Sequence, residues 1–147
     1  MKIHDINNQL LDQIESVSGK NKEWNSDELH ALCKKAMKKE FNTVCAFDEY
    51  VPNDKKPYSI VNTDNETGEH WVACYFDGKT VFTYDSFARN MKRLMKDFID
   101  RIKSMNFKIV FCNKGIDQAE REINCGLRAF VWIYLTSIYG IKQTKNI

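Results

Sequence analysis

The chain has 147 residues, 43% of them hydrophobic and 12% aromatic, enough to bury one core, so residues 1–147 are expected to form one domain. With 22 basic against 20 acidic side chains the net charge is +2, which excludes nucleic-acid binding driven by overall charge and leaves that role to local clusters. No apolar run reaches the roughly 18 residues of a bilayer span, and no short apolar segment follows a basic N-terminus, so no membrane partner and no signal-peptide secretion are expected.

Ile6, Leu10, Leu11, Ile14 and Val17 share one helical stripe and predict a helix over 6–17, followed by the loop Ser18-Gly19-Lys20-Asn21. Ser26 reads as the N-cap of a second helix, with Asp27 and Glu28 in its first turn and Leu29, Leu32, Cys33, Ala36 and Met37 on its apolar face. Lys34, Lys35, Lys38 and Lys39 complement the dipole at the end of that helix, an anion-binding patch being the second reading. His4 and His30 read as structural or solvated. Phe41 to Tyr58 is expected to be irregular, with Pro52, Asn53, Asp54 and Pro57 as turn formers, before a short strand Tyr58–Asn62.

His70–Phe76 and Lys79–Phe87 are rich in aromatic and β-branched residues and flank Asp77-Gly78, which predicts a tight type I′ hairpin. Across a two-residue loop His70 stands opposite Asp85, with Cβ atoms about 4.5–5.5 Å apart, close enough for the carboxylate to accept the imidazole proton; a chance polar pair at the end of a sheet is an equal reading of the hairpin alone. Met91, Leu94, Met95, Phe98, Ile102 and Met105 predict an amphipathic helix over 88–105 whose outer face carries Arg89, Lys92, Arg93 and Lys96. A solvated face is the plain reading of that cluster and nucleic-acid contact the sharper one. Phe107–Cys112 reads as a strand. The segment Gln118–Tyr139 then turns from polar to apolar at Cys125-Gly126 and is apolar nearly all round from Leu127, which argues for a central buried helix with a thiol at its N-terminus, where the dipole favours a thiolate. The order of elements predicts an α+β fold, with a small central mixed sheet of about four strands packed between the N-terminal and middle helices and the buried Cys helix.

A cysteine nucleophile needs a base, a group that orients the base, and donors for the developing oxyanion. Cys125 supplies the thiol, His70 is the only histidine at a strand start beside a loop, Asp85 is its expected neighbour, and Gln118 is an amide upstream of the sulfur. The five cysteines, Cys33, Cys45, Cys74, Cys112 and Cys125, are odd in number and lack C-x-x-C pairs or metal-like Cys/His spacing. That points to reduced thiols in an intracellular compartment, to no metal, and to at most one chemically special thiol. A single buried cysteine is usually inert packing, and it is the joint pattern that singles out Cys125.

Ile60-Val61-Asn62-Thr63, Glu66-Thr67-Gly68, His70-Trp71, Tyr84-Asp85-Ser86-Phe87, and Gln118 followed after six residues by Cys125-Gly126-Leu127 together resemble the adenovirus-type cysteine endopeptidase (adenain) family, within the group that includes the ubiquitin-like protein proteases. The resemblance runs from Ser26 to Tyr139 and leaves residues 1–24 as an extra helix and linker. It implies Cys125 as nucleophile, His70 as general base and later acid, Asp85 as orienter, and Gln118 with the Cys125 N–H as the oxyanion hole. It also implies Trp71 as the roof of a narrow substrate channel and Gly126 as a second substrate-binding residue. Asp85 stands where adenoviral enzymes typically carry Glu, as in the deconjugating branch.

The activity implied is cleavage after glycine in viral capsid or core precursor proteins during virion maturation, in the virion and the host cell interior. The alternative is a deconjugating isopeptidase for ubiquitin-like proteins. No resident cofactor is implied, though an activating peptide or DNA is, the latter through Lys34, Lys35, Lys38, Lys39, Arg89, Lys92, Arg93 and Lys96. A reading from another class is a non-catalytic binding module in which Cys125 is inert.

Overall fold

The computed structural model describes residues 2–62, 70–86, 96–112 and 123–147. In chain order these form α1 (Ile3–Ser18), α2 (Ser26–Met37) with a short 3-10 turn (Lys38–Glu40), β1 (Phe41–Ala46), β2 (Tyr58–Asn62), β3 (Trp71–Phe76), β4 (Thr80–Tyr84), α3 (Lys96–Ser104), β5 (Lys108–Phe111), α4 (Cys125–Tyr139) and α5 (Ile141–Thr144). The strands make one sheet in sequence order. The β1–β2 and β4–β5 pairs are parallel and the two central pairs antiparallel, so the sheet is mixed and the fold is α+β, as expected.

Strand β3 lies in the middle and serves both faces, because successive side chains point to opposite sides. Trp71 and Ala73 enter the larger core with Leu29 and Cys33 of α2 and the apolar residues of α4, while Val72, Cys74 and Phe76 meet Phe98 and Ile102 of α3 on the other side. Helix α4 buries Leu127, Ala129, Phe130, Val131, Trp132, Ile133 and Leu135, each large side chain worth about 1.5–3 kcal/mol when removed from water. It is the central helix that its all-round apolar composition predicts. Its far end is closed by polar contacts: the Trp132 indole N–H donates to the Thr144 carbonyl at 3.0 Å, and the Thr136 and Thr144 hydroxyls are 2.7 Å apart. Among the described residues no helix is long and apolar enough to cross a membrane.

Three expectations are corrected. The sheet has five strands, because Phe41–Ala46, expected to be irregular, is an edge strand parallel to β2. Its F-N-T-V-C-A sequence alternates weakly and its register shifts between Phe41 and Thr43; pairing with β2, a tertiary contact, makes it a strand. The cap of α2 is Asn25, not Ser26. Asn25 Oδ1 accepts the Glu28 N–H at 2.9 Å and Glu28 Oε1 accepts the Asn25 N–H at 3.2 Å, a reciprocal box.

The third correction concerns the hairpin, which turns at Gly78-Lys79 and pairs Phe76 with Val81 and Ala73 with Tyr84, two positions away from the expected register. The Asp77 carboxylate accepts both the Lys79 N–H at 3.0 Å and the Thr80 N–H at 2.7 Å, which draws Asp77 out of the turn's centre and into its stem. Of the two central residues only Gly78 has positive φ, the sign pattern of a type II′ turn. Of the helix expected over 88–105, residues 88–95 lie outside the described residues, and α3 accounts for the rest.

Gly78 has φ +97°, and a Cβ there would lie 2.9 Å from Asp54 Oδ1. Replacing it by Val is expected to destabilise the fold by about 1–3 kcal/mol, since a β-branched residue is strained at positive φ. Urea unfolding checks this: the midpoint should fall with an unchanged slope.

Candidate active site

His70 immediately precedes β3 and Asp85 immediately follows β4. With the observed register they are diagonal rather than direct cross-strand neighbours. A shift of two positions preserves the side of the sheet, however, and diagonal neighbours remain within reach of long side chains. His70 Nε2 and Asp85 Oδ1 are 2.7 Å apart, with both residues buried at 6% and 3% exposure. Burial pushes the imidazole pKa down, but hydrogen bonds to Asp85 and to the Cys125 sulfur outweigh it and hold His70 above its ordinary value. The thiol therefore lies within hydrogen-bonding reach of the ring. With Nε2 committed to the carboxylate, Nδ1 is the nitrogen left to exchange a proton with sulfur.

Cys125 is the first residue of α4 and is buried at 5% exposure. The next residue explains how the helix start comes so close to the sheet. A Cβ on Gly126 would lie 3.0 Å from Leu29 Cδ1, 3.1 Å from Trp71 Cδ1 and 3.3 Å from Trp24 Cβ. Trp71 cannot easily give way, because its indole N–H donates to the Trp24 carbonyl at 3.2 Å. Farther along α4, Trp132 stacks on Tyr84 with centroids 5.5 Å apart and planes at 7°. The residue after His70 and the residue before Asp85 are thus each packed on the helix that begins with Cys125.

The structure brings together His70, Asp85 and Cys125, and places Trp71 and Gly126 against each other beside them, both buried. Gln118 lies outside the described residues, as do Arg89, Lys92 and Arg93. Of the basic side chains, Lys34, Lys38 and Lys39 line a cleft of about 490 Å³ with His30, Asn42 and Lys56 beside β1. Lys35 is in the last turn of α2. Lys96 pairs with Asp100 at 3.3 Å and lies along β5, at the opposite edge of the sheet from that cleft. Cys112 is buried and its N–H donates to the Thr83 carbonyl, as a packing residue at a strand end would. Among the described residues no group of His, Cys, Asp and Glu could hold a metal ion.

Sequence reasoning missed two residues at the start of α4. Trp24 was hidden in a stretch read as linker. Asn124 is 1% exposed and stands in the N-cap position of α4 without making a cap hydrogen bond; its place directly before Cys125, where polar sequence turns apolar, was the available signal. No protein-family model matches the chain, and no curated protein matches it.

Because the folded His70 pKa is raised, charged His70 contributes stability that is fully present below about pH 6.5 and lost as pH rises through its folded value. Asp85→Asn removes a raising cause, so its stability cost is expected to be larger at about pH 5.5 than at about pH 9, and His70 should titrate lower in the variant by NMR. Gly126→Ala is expected to cost about 1–3 kcal/mol by overpacking, measured by urea unfolding.

Proposed function

We propose that the chain is a thiol peptidase in which Cys125 is the nucleophile, His70 the general base and then acid, and Asp85 the orienting carboxylate. The observation that carries this reading is the buried His70–Asp85 contact of 2.7 Å together with the hydrogen bond between the same ring and the Cys125 thiol, at a helix N-terminus. His70 takes the thiol proton, the thiolate attacks the scissile carbonyl carbon, and the imidazolium returns the proton to the leaving amine as the thioester forms; water then releases the acid by the same route. Asp85 holds the ring in one orientation and stabilises its charged form. The Cys125 backbone N–H and the Gln118 amide serve the oxyanion, Gln118 by the sequence resemblance alone.

The same resemblance favours cleavage after glycine in viral precursor proteins, within the virion and the host cell interior, over deconjugation of ubiquitin-like proteins. Trp71 is then the residue that narrows the channel. The other thiols are poor competitors. Burial pushes Cys33 and Cys74 well up, Cys45 to about 11 and Cys112 to about 12.

Iodoacetamide at about pH 7 is expected to label Cys125 first; prior labelling of Cys45 or Cys112 would overturn the nucleophile assignment. Peptides differing only in the residue before the scissile bond should show a higher kcat/KM for Gly than for Leu, and equal values would remove the narrow channel. Gln118→Ala should lower kcat by roughly 10²–10³ with little change in KM, while Cys125 alkylation stays near the wild-type rate, because thiolate formation does not use the oxyanion donor.

A further inference from the structure

We infer that α1 and the turn behind it are a positioning device for the nucleophile: Glu15 and Asn21 clamp the Ile123–Asn124 segment and so set the peptide plane that carries the Cys125 N–H. The inference rests on the reading of Cys125 as a nucleophile and adds the residues that orient it.

The contacts form a connected chain. Glu15, on the last turn of α1, accepts the Asn21 backbone N–H at 2.6 Å and the Asn124 side-chain N–H at 3.4 Å through the same Oε2. Asn21 sits at φ +54°, a left-handed geometry that asparagine tolerates, and its Oδ1 accepts the Ile123 N–H at 2.8 Å. Asn124 Oδ1 in turn accepts the Arg128 Nε–H at 3.1 Å. The chemistry fixes which way the Asn124 amide points, since a carboxylate only accepts and a guanidinium only donates. A buried carboxamide is thus held at both ends by charged groups, the stronger kind of hydrogen bond.

These contacts join segments 102 and 109 positions apart at the two residues before the thiol. They also divert Asn124 from what asparagine ordinarily does at a helix start. An N-cap side chain accepts from the first-turn N–H groups, whereas Asn124 makes no such bond. The positive end of α4 is therefore not neutralised by the Asn124 side chain, and it stays directed at charge developing on Cys125 and on the substrate oxygen.

The test uses the full chain and a cleavable peptide, with kcat, KM and Cys125 alkylation measured beside thermal unfolding. Asn124→Asp sets a second carboxylate against Glu15 and is expected to lower kcat by about tenfold to a hundredfold with KM within about twofold, because misorientation at the reacting atom is costly. The pair Glu15→Gln with Asn124→Asp restores an amide–carboxylate contact between the two side chains, without the acceptor for the Asn21 N–H, and should recover part of that loss, a non-additivity that a purely structural tie would not show in kcat. If Asn124→Asp does not fold, Glu15→Gln alone keeps the shape and is expected to lose about threefold to tenfold in kcat. Wild-type kcat in Asn124→Asp or in Glu15→Gln, or a pair no better than Asn124→Asp, would overturn the positioning role and leave the peptidase reading intact. A wild-type chain with neither turnover nor a reactive Cys125 would overturn both.

Discussion

The close approach of α4 to the middle of the sheet at Gly126 is the constraint on which the rest of the site depends. Without a Cβ, the helix start meets Trp71, Leu29 and Trp24 at distances that an added Cβ would crowd by a few tenths of an ångström. The thiol is the preceding residue, so the same contact fixes how far sulfur stands from the start of β3, where His70 is attached to Trp71. Tyr84 and Trp132 fix the end of β4 against the same helix, and Asp85 is attached to Tyr84. His70, Asp85 and Cys125 are thereby located by apolar contacts of their chain neighbours, and interiors packed this densely resist sub-ångström adjustment.

Location in a buried region has an electrostatic consequence. Burial alone would deprotonate His70, and an unpaired carboxylate at 3% exposure would be costly. The two costs offset each other because the groups meet at hydrogen-bonding distance, and the ring remains a better proton acceptor than a free imidazole. Such a pair adds little to stability over two apolar residues, yet losing one member strands the other.

Much of this was legible in the sequence where a pattern is local and strong. The 3.6-residue period of α2, the all-round apolar run of α4 and the aromatic hairpin strands each report directly on burial. His70 and Asp85 were legible as partners even though the turn was misplaced, because moving the register by two positions leaves both side chains on the same side. What was not legible depends on tertiary contacts. β1 is a strand only because β2 lies beside it, Asp77 shifts the turn with its side chain, and Trp24 and Asn124 acquire meaning only when α2, β3 and α4 converge. Glu15 and Asn21 are farther still from Asn124 in sequence, and no periodicity links them.

Apolar packing and directional hydrogen bonds constrain the thiol in different ways. The contacts around Gly126 hold the helix axis against the sheet, but the hydrophobic effect is non-directional and does not dictate the rotation of the first peptide plane. Hydrogen bonds weaken steeply as their angles depart from linear, so the Glu15–Asn21–Ile123 and Glu15–Asn124–Arg128 links supply the orientation that packing leaves open. Helix α1 buries few of its residues and is joined by these links to the segment just before Cys125. An element with a small share of the core can therefore have a large share in orienting the peptide before Cys125, since hydrogen bonds fix angles that apolar packing leaves open.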